Sequence, residues 1–229
     1  MWSWRLASGG LRISVSGVLV LALAGSAHAG LTVVTGAENN TIAEDTVVIR
    51  LEGPIESPME TELRDIWSKL GQPYERLLLD LDSPGGNLQE TEEIVEVLAD
   101  IRRTTPIDTL VRHDATCASA CVAIFVQGTQ RFAGGSSTWL FHGACHERSN
   151  VPALELTSRF LDILRDAGVA EDFLCHLVDQ GYVTTPGKLW VSGYELVHTY
   201  HANIITRLLE PWRPEAPNVP QRDPLIGPH

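Results

Sequence analysis

Apolar and polar positions in the first half of the chain alternate between short apolar runs and longer amphipathic stretches. The apolar runs are of strand length and occupy residues 46–51, 76–81 and 108–112. Between them, residues 58–70 and 87–103 repeat apolar side chains at helical spacing. A chain that alternates strand and helix in this way builds βαβ units, whose strands lie parallel. The pattern therefore predicts an α/β fold with a mainly parallel sheet.

Shorter elements are predicted in the second half of the chain. Residues 119–126 are almost wholly apolar and predict a buried helix, while residues 130–132 and 138–141 predict two short strands. The spacing of leucine, phenylalanine and isoleucine then predicts helices at 154–167 and 171–180. We find no internal repeat and no coiled-coil heptad in the sequence, so these elements are expected to form one domain.

The first 29 residues have the composition of a secretory signal peptide. They contain two arginines, no acidic residue, an apolar core and an Ala-His-Ala sequence at 27–29. The apolar core is too short for a comfortable membrane span, which favours cleavage before Gly30 over an uncleaved anchor. We therefore expect a periplasmic or secreted protein.

The C-terminal end of the chain differs in composition from the part before it. Residues 211–229 contain six prolines, which predicts an extended or disordered tail. Between leader and tail, residues 30–210 are long enough for one domain with a sizeable core. The chain is thus expected to consist of a signal peptide, a single domain and a tail.

The net charge restricts the partners that this chain can have. The formal charge of the whole chain is −12 at pH 7, and removal of the leader with its two arginines makes it about −14. An acidic protein is repelled by the phosphates of nucleic acids and by anionic lipid surfaces. We therefore expect no nucleic-acid partner.

Residues with catalytic potential lie between positions 83 and 142. Ser83-Pro84-Gly85-Gly86 follow a predicted strand, Ser119 stands in an Ala-Ser-Ala sequence, and His142 ends another strand. Ser119 alone could simply cap the next helix, and the glycines alone could form a tight turn. Together they supply what acyl transfer needs, which is a nucleophile, a base and exposed backbone N–H groups for an oxyanion.

The order Ser-Pro-Gly-Gly, Ala-Ser-Ala, Gly-Thr-Gln-Arg-Phe and Phe-His resembles that of the Clp protease proteolytic subunit, in the Clp/crotonase superfamily. The resemblance covers about residues 46–205 and is greatest to exported Clp-like proteins. It implies a spiral of stacked βαβ turns and a serine peptidase that uses Ser119 as nucleophile and His142 as base. The implied oxyanion hole consists of Gly85, Gly86 and the N–H of Ala120.

The resemblance also implies partners. Its substrates would be peptides or unfolded proteins, and members of the superfamily commonly form homo-oligomers. No cofactor is expected. No ATPase partner is expected either, because ATP is not supplied outside the cytosol.

The third member of the family's triad has no clear match. Counting back from residues 189–192, as in the family, reaches Thr184 and its neighbours, where no carboxylate is present. Asp179 is the nearest substitute, Glu171 and Asp172 are weaker candidates, and a threonine or a backbone carbonyl could also orient the imidazole. Loss of the orienting group can reduce turnover about 10⁴-fold in a serine protease, so its identity matters for activity.

Four cysteines, Cys117, Cys121, Cys145 and Cys175, follow the leader, and an even number in an exported protein permits two disulfides. Three pairings are open. We favour Cys117 with Cys121, which would clamp the turn around the serine, and Cys145 with Cys175. Zinc bound by Cys145-His146 and Cys175-His176 is the competing hypothesis, although adjacent residues rarely chelate one ion well.

Three other functions compete with the serine–histidine peptidase. A serine–lysine dyad would have to use Lys69 or Lys188, the only lysines in the chain. Acyl-thioester chemistry, as in the crotonase branch, is disfavoured by export and by the serine at the nucleophile position. The last alternative is an oligomeric scaffold or binding protein of the envelope with weak or no catalysis. We expect the peptidase.

Overall fold

The computed structural model describes residues 30–34, 45–70, 74–145 and 153–209. The predicted leader and tail, residues 1–29 and 211–229, lie outside these ranges. Within them the elements follow in this order: β1 Gly30–Val34, β2 Thr46–Glu52, α1 Met59–Leu70, β3 Arg76–Asp82, α2 Leu88–Arg102, β4 Ile107–Val111, β5 Thr116–Ala118, α3 Ala120–Phe125, β6 Arg131–Gly134, β7 Thr138–Phe141, α4 Leu154–Asp166, α5 Glu171–Asp179, β8 Leu189–Ser192, α6 Gly193–His198 and β9 Arg207–Leu209.

A six-stranded sheet forms the centre of the fold, in the order β1-β2-β3-β4-β6-β9. The antiparallel β1 lies at one edge, and all other neighbouring strands are parallel. This confirms the predicted α/β class with its mainly parallel sheet. Leu77, Leu79 and Leu81 of β3 are buried, and so is Asp80 on the opposite face of the strand. Burial on both faces is typical of a parallel strand that lies inside such a sheet.

A second, three-stranded sheet in the order β5-β7-β8 packs beside the first. In this sheet β5 and β7 are parallel, so their carboxyl ends lie at the same edge. The two sheets meet where β3 ends, because Ser83 N–H donates to Thr116 O at 2.7 Å and Ala118 N–H donates to Ser83 O at 3.0 Å. These bonds join the residue that begins the glycine turn to the strand that precedes Ser119.

The helices use local signals that the sequence contains. The Asn87 side chain caps α2 by accepting a hydrogen bond from Glu90 N–H at 3.1 Å, and Ser192 with Glu195 forms a capping box at α6. The buried face of α2 includes Ile94, Leu98 and Ile101, spaced three to four residues apart. In the described part of the chain, no helix is both long and apolar enough to span a membrane.

Arg131 has a structural position, away from the predicted catalytic residues. Its guanidinium donates hydrogen bonds to the carbonyls of Ala167 at 3.1 Å and Asn203 at 2.9 Å. Burial lowers the pKa of this guanidinium. The side chain thus joins β6 to the end of α4 and to the segment that leads into β9.

Candidate active site

Ser119 lies at a sharp turn between β5 and α3. Its backbone has φ 54° and ψ −123°, a left-handed conformation that is uncommon for a residue with a side chain. The turn is held by a hydrogen bond from Ser119 N–H to Leu140 O at 2.8 Å. The Ser119 side chain makes no capping hydrogen bond to α3. Its hydroxyl therefore does not cap the following helix, which is the usual structural role of a serine in this position.

His142 follows the last residue of β7 and lines the same cavity as Ser119, a space of about 700 Å³. Ala118 of β5 and Leu140 of β7 are paired in the parallel register, so Ser119 and His142 follow the ends of neighbouring strands at the same edge of the small sheet. The residues that follow two paired parallel strands emerge side by side. The structure shows no hydrogen bond between the Ser119 hydroxyl and the His142 ring among the described residues. In enzymes without bound substrate this contact is often long.

The glycine turn lies directly against Ser119. A Cβ atom added to Gly85 would come within 2.8 Å of Ser119 Cβ and 3.1 Å of Ala120 N, and φ of Gly85 is +89°. No side chain fits at this position, so the glycine is required by both the close approach and the left-handed backbone. The turn and the serine thus form one continuous wall of the cavity.

The three predicted oxyanion donors are not equivalent. Gly85 N–H donates to Ser83 Oγ at 3.1 Å and is already used inside the turn. Gly86 N–H and Ala120 N–H have no hydrogen-bond partner among the described residues, and both residues line the cavity. The free donors are therefore Gly86 and Ala120, while Gly85 shapes the turn.

The group that orients His142 is a backbone carbonyl. His142 Nδ1 lies 2.8 Å from the carbonyl oxygen of Gly143. Asp179 is exposed at the last position of α5 and forms no hydrogen bond or ion pair with His142 within the described ranges. The candidate role of Asp179 is therefore not supported by the geometry. Thr184 follows Val183, whose carbonyl oxygen would lie 2.2 Å from a Cβ on Gly143, so this segment packs against Gly143.

The weaker candidates for the orienting role also lie elsewhere. Glu171 and Asp172 are exposed in the first turn of α5, and Glu171 pairs with Arg165 at 3.0 Å. Lys188 is exposed, Lys69 pairs with Asp65 on α1, and neither lysine lines the cavity. The serine–lysine dyad is therefore not assembled among the described residues.

One of the two expected disulfides is present. Cys117 and Cys121 form a bridge around Ser119. Cys145 and Cys175 are free and exposed, so the expected second bridge is not formed. Cys145 lines the cavity beside His142, whereas Cys175 lies on α5 with its sulfur 4.0 Å from Glu171 Oε1. An even number of cysteines permits a second bridge but does not place the two sulfurs together.

The zinc hypothesis is only partly covered by the structure. Among the described residues, no group of three or more histidine, cysteine, aspartate or glutamate side chains is arranged to hold a metal ion. His146, one of the four ligands considered from the sequence, lies outside these residues.

Other parts of the cavity wall were not predicted from the sequence. Its lining includes these further side chains: Asn87, Leu88 and Gln89 at the start of α2, and Leu156, Arg159 and Phe160 on α4. Arg159 also pairs with Glu92 of α2, which joins α4 to α2. The apolar spacing of α4 could have indicated its buried face, but no sequence pattern shows which cavity that face lines.

Comparison with solved structures identifies the fold. Two similar structures are a point mutant of ClpP1 from Listeria monocytogenes and the ClpP protease catalytic domain from Plasmodium falciparum. Each has a TM-score of 0.55 and 16% sequence identity to this chain. The alignment covers 72% of this chain and 91% of the Listeria chain, and 75% of this chain and 88% of the Plasmodium chain. The fold is that of the Clp protease.

The Clp-like fold confirms the predicted fold class and the resemblance to the Clp protease proteolytic subunit, while the likeness to exported Clp-like proteins stays a prediction. No protein-family model matches the sequence, and no curated protein matches it either. At 16% identity the likeness extends to the fold, and the chemistry has to be argued from the residues of this chain.

Proposed function

We propose that this chain is an exported serine hydrolase, most simply a peptidase, in which Ser119 is the nucleophile and His142 the base. The observation that carries the proposal is the position of both residues on one cavity, with His142 Nδ1 held by Gly143 O at 2.8 Å. A carbonyl oxygen only accepts hydrogen bonds, so this contact requires the proton on Nδ1. The Nε2 atom then has a free lone pair with which to accept the proton of the serine.

The reaction follows from these positions. Ser119 Oγ attacks the substrate carbonyl carbon while its proton passes to His142 Nε2, and the carbonyl oxygen becomes an oxyanion. The N–H groups of Gly86 and Ala120 stabilise this charge. His142 then gives the proton to the leaving amine, which departs and leaves an acyl group on Ser119. Water, deprotonated by the same histidine, hydrolyses this ester and restores the serine.

Among the described residues no carboxylate is hydrogen-bonded to His142, which affects the expected rate. In a serine protease triad the carboxylate fixes the tautomer and also stabilises the imidazolium ion that forms. Gly143 O supplies the first function, but as a neutral group it gives less of the second. We therefore expect a slow hydrolase with the correct tautomer.

The walls of the cavity indicate the kind of substrate. Leu88, Leu156 and Phe160 give the cavity an apolar side, and Arg159 is the one side chain of its described lining with a permanent charge. A cavity of about 700 Å³ holds several side chains of an extended peptide. We therefore propose a peptide or unfolded segment with an apolar residue beside the scissile bond as substrate, a periplasmic or secreted location, and a homo-oligomeric state.

A second function is favoured by one specific observation. Neither a hydrogen bond from Ser119 to His142 nor a carboxylate beside the imidazole is present in the described structure. A Clp-like protein that lacks these contacts can serve as an oligomeric scaffold or binding protein of the envelope. That alternative predicts a folded oligomer whose serine does not react.

The test is covalent labelling of Ser119. The full chain, produced with its leader in a bacterial host and purified from the periplasm, is treated with a fluorophosphonate probe and examined by intact mass. We expect a mass that corresponds to cleavage before Gly30 and a single adduct, which is lost in Ser119→Ala. Ser68→Ala, on the exposed face of α1, is the matched control and should label like the wild type.

Other outcomes are equally informative. A folded oligomer that takes up no probe would favour the scaffold function. A mass that retains the leader would contradict export with cleavage. Ser119→Ala should change the melting temperature by no more than about a degree or two, because the hydroxyl makes no structural hydrogen bond.

A further inference from the structure

The disulfide between Cys117 and Cys121 encloses the candidate nucleophile. Cys117 is the middle residue of β5, Cys121 lies in the first turn of α3, and Ser119 stands midway between them. Both cysteines are completely buried, with 0% exposure. The bridge therefore closes a ring of five residues with the serine at its centre.

Each end of the bridge is attached to a different part of the candidate site. On the Cys117 side, the two bonds between β5 and Ser83 fix the strand to the start of the glycine turn, which leads to Gly86 N–H. On the Cys121 side, the preceding residue is Ala120, whose N–H is the second free donor. The bridge thus joins the backbone segments that present the two oxyanion donors to the substrate.

The turn at Ser119 has few local interactions that would hold it without the bridge. A left-handed backbone at a residue with a side chain is strained and persists only where the surroundings impose it. The α3 helix is six residues long, and Ser119 gives it no side-chain cap. Apart from the bridge, the turn is held by hydrogen bonds from Ser119 N–H to Leu140 O, from Val122 N–H to Ser119 O and from Ala118 N–H to Ser83 O, and by the close packing of Gly85.

We propose that Cys117 and Cys121 are positioning residues of this site, and that their bridge holds Ser119 and the two oxyanion donors in reactive alignment. The inference rests on the proposed hydrolase function and explains how that function would depend on an oxidising compartment. Neither sulfur touches the substrate, because both lie inside the core. Their effect is transmitted through the backbone of residues 117–121.

The test compares two variants of the full chain. Cys117→Ala/Cys121→Ala removes the bridge, and the control, Cys175→Ala, removes a free and exposed cysteine that does not line the cavity. Both are assayed well below their melting temperatures, so that the folded fraction is the same. A displacement of about 1 Å at a reacting group can cost about 100-fold in rate. We therefore expect the first variant to label with fluorophosphonate about 10- to 100-fold more slowly, and the second at the wild-type rate.

Two further measurements separate positioning from stability. With a peptide substrate, loss of the bridge should lower kcat with little change in KM, since Leu156 and Phe160 of the cavity wall are untouched. Amide hydrogen exchange in residues 116–126 should become faster than in the oxidised wild type, with no change in the central sheet. If the bridge served stability alone, its removal would change neither kcat relative to KM nor the amide exchange in residues 116–126 below the melting temperature.

The outcomes that overturn the proposal are distinct from failure of the hydrolase function. If the wild type labels and the folded bridge-free variant labels equally fast, the positioning role is wrong and the hydrolase function stands. If the wild type does not label, the hydrolase function fails. If amide exchange in residues 116–126 is also the same in the bridge-free variant as in the wild type, the positioning role is refuted as well. Cys117→Val/Cys121→Ala, which refills the buried space, is the second variant. If neither bridge-free variant folds, the bridge is needed for folding and the positioning proposal is rejected.

Discussion

The imidazole of His142 is oriented by the residue that follows it in the chain, since its Nδ1 atom lies 2.8 Å from the carbonyl oxygen of Gly143. This contact is local and needs no loop from another part of the fold. Gly143 packs against the backbone of Val183, whose carbonyl oxygen leaves no room for a side chain there. The space beside Nδ1, where a carboxylate that orients the imidazole would lie, is thus bordered by backbone atoms.

From this contact we expect Asp179→Asn to label with fluorophosphonate at the wild-type rate, to within about twofold. The carboxylate is exposed on α5 and forms no hydrogen bond or ion pair with His142 among the described residues. The matched comparison is His142→Gln, which should reduce the labelling rate by about 10²- to 10⁴-fold because it removes the base. A slow Asp179→Asn variant with unchanged stability would show that this carboxylate reaches the site in solution, and it would contradict the Gly143 assignment.

Ser83 is expected to support the oxyanion donors through the glycine turn. Ser83 Oγ is buried and accepts the hydrogen bond from Gly85 N–H, so Ser83→Ala leaves a buried donor without a partner. This costs about 1–3 kcal/mol and should lower the melting temperature by several degrees. The labelling rate should also fall, because Gly86 N–H is the next donor in the same turn.

A control for Ser83→Ala removes a similar hydrogen bond away from the cavity. Ser136 Oγ donates to His113 O at 2.7 Å, and neither residue lines the cavity. Ser136→Ala should lose stability without any effect on labelling. If folded Ser83→Ala labels as fast as the wild type, the bond to Gly85 does not influence the oxyanion donors.

Much of the fold could be predicted because burial imposes periodicity on the sequence. The elements predicted between residues 46 and 180 lie within two residues of those observed. Four strands were missed, namely β1, β5, β8 and β9. The edge strand β1 has five residues, and the other three have three or four each, which is too few for a pattern to be distinguished. They are specified by their partner strands, a tertiary effect that a local pattern does not contain.

The candidate site was predictable where it depends on residue type and not where it depends on the backbone. Ser119 and His142 are chemically distinctive, and their cavity is a consequence of paired parallel strands. The acceptor of His142 is a main-chain carbonyl, which every residue has and no sequence pattern marks. The same holds for the N–H of Gly85, whose use by Ser83 Oγ removes it from the predicted oxyanion donors.

The stability of the protein is expected to decrease at alkaline pH in part through Tyr200. Its ring packs against Phe173 and His176, and burial is the main cause that raises the pKa of its phenol above 10.0. The folded state therefore keeps this proton more tightly than the unfolded state. The contribution to the free energy of unfolding is complete below pH 10 and is lost as the pH rises through the folded-state pKa. When thermal unfolding is measured between pH 9 and about 11, the melting temperature should fall less with rising pH in Tyr200→Phe than in Tyr74→Phe.

The apolar wall of the cavity should determine which peptides are cleaved. Leu156 lines the cavity on α4, while Leu154 on the same helix is 60% exposed and does not. Leu156→Ala removes apolar surface worth about 1 kcal/mol to a bound side chain, so kcat/KM for peptides with an apolar residue at the scissile bond should fall about fivefold. For peptides with glycine at that position it should change little. Leu154→Ala should leave kcat/KM for both kinds of peptide at the wild-type level. An equal loss of kcat/KM for both peptides in Leu156→Ala would show that this wall affects catalysis but not substrate selection.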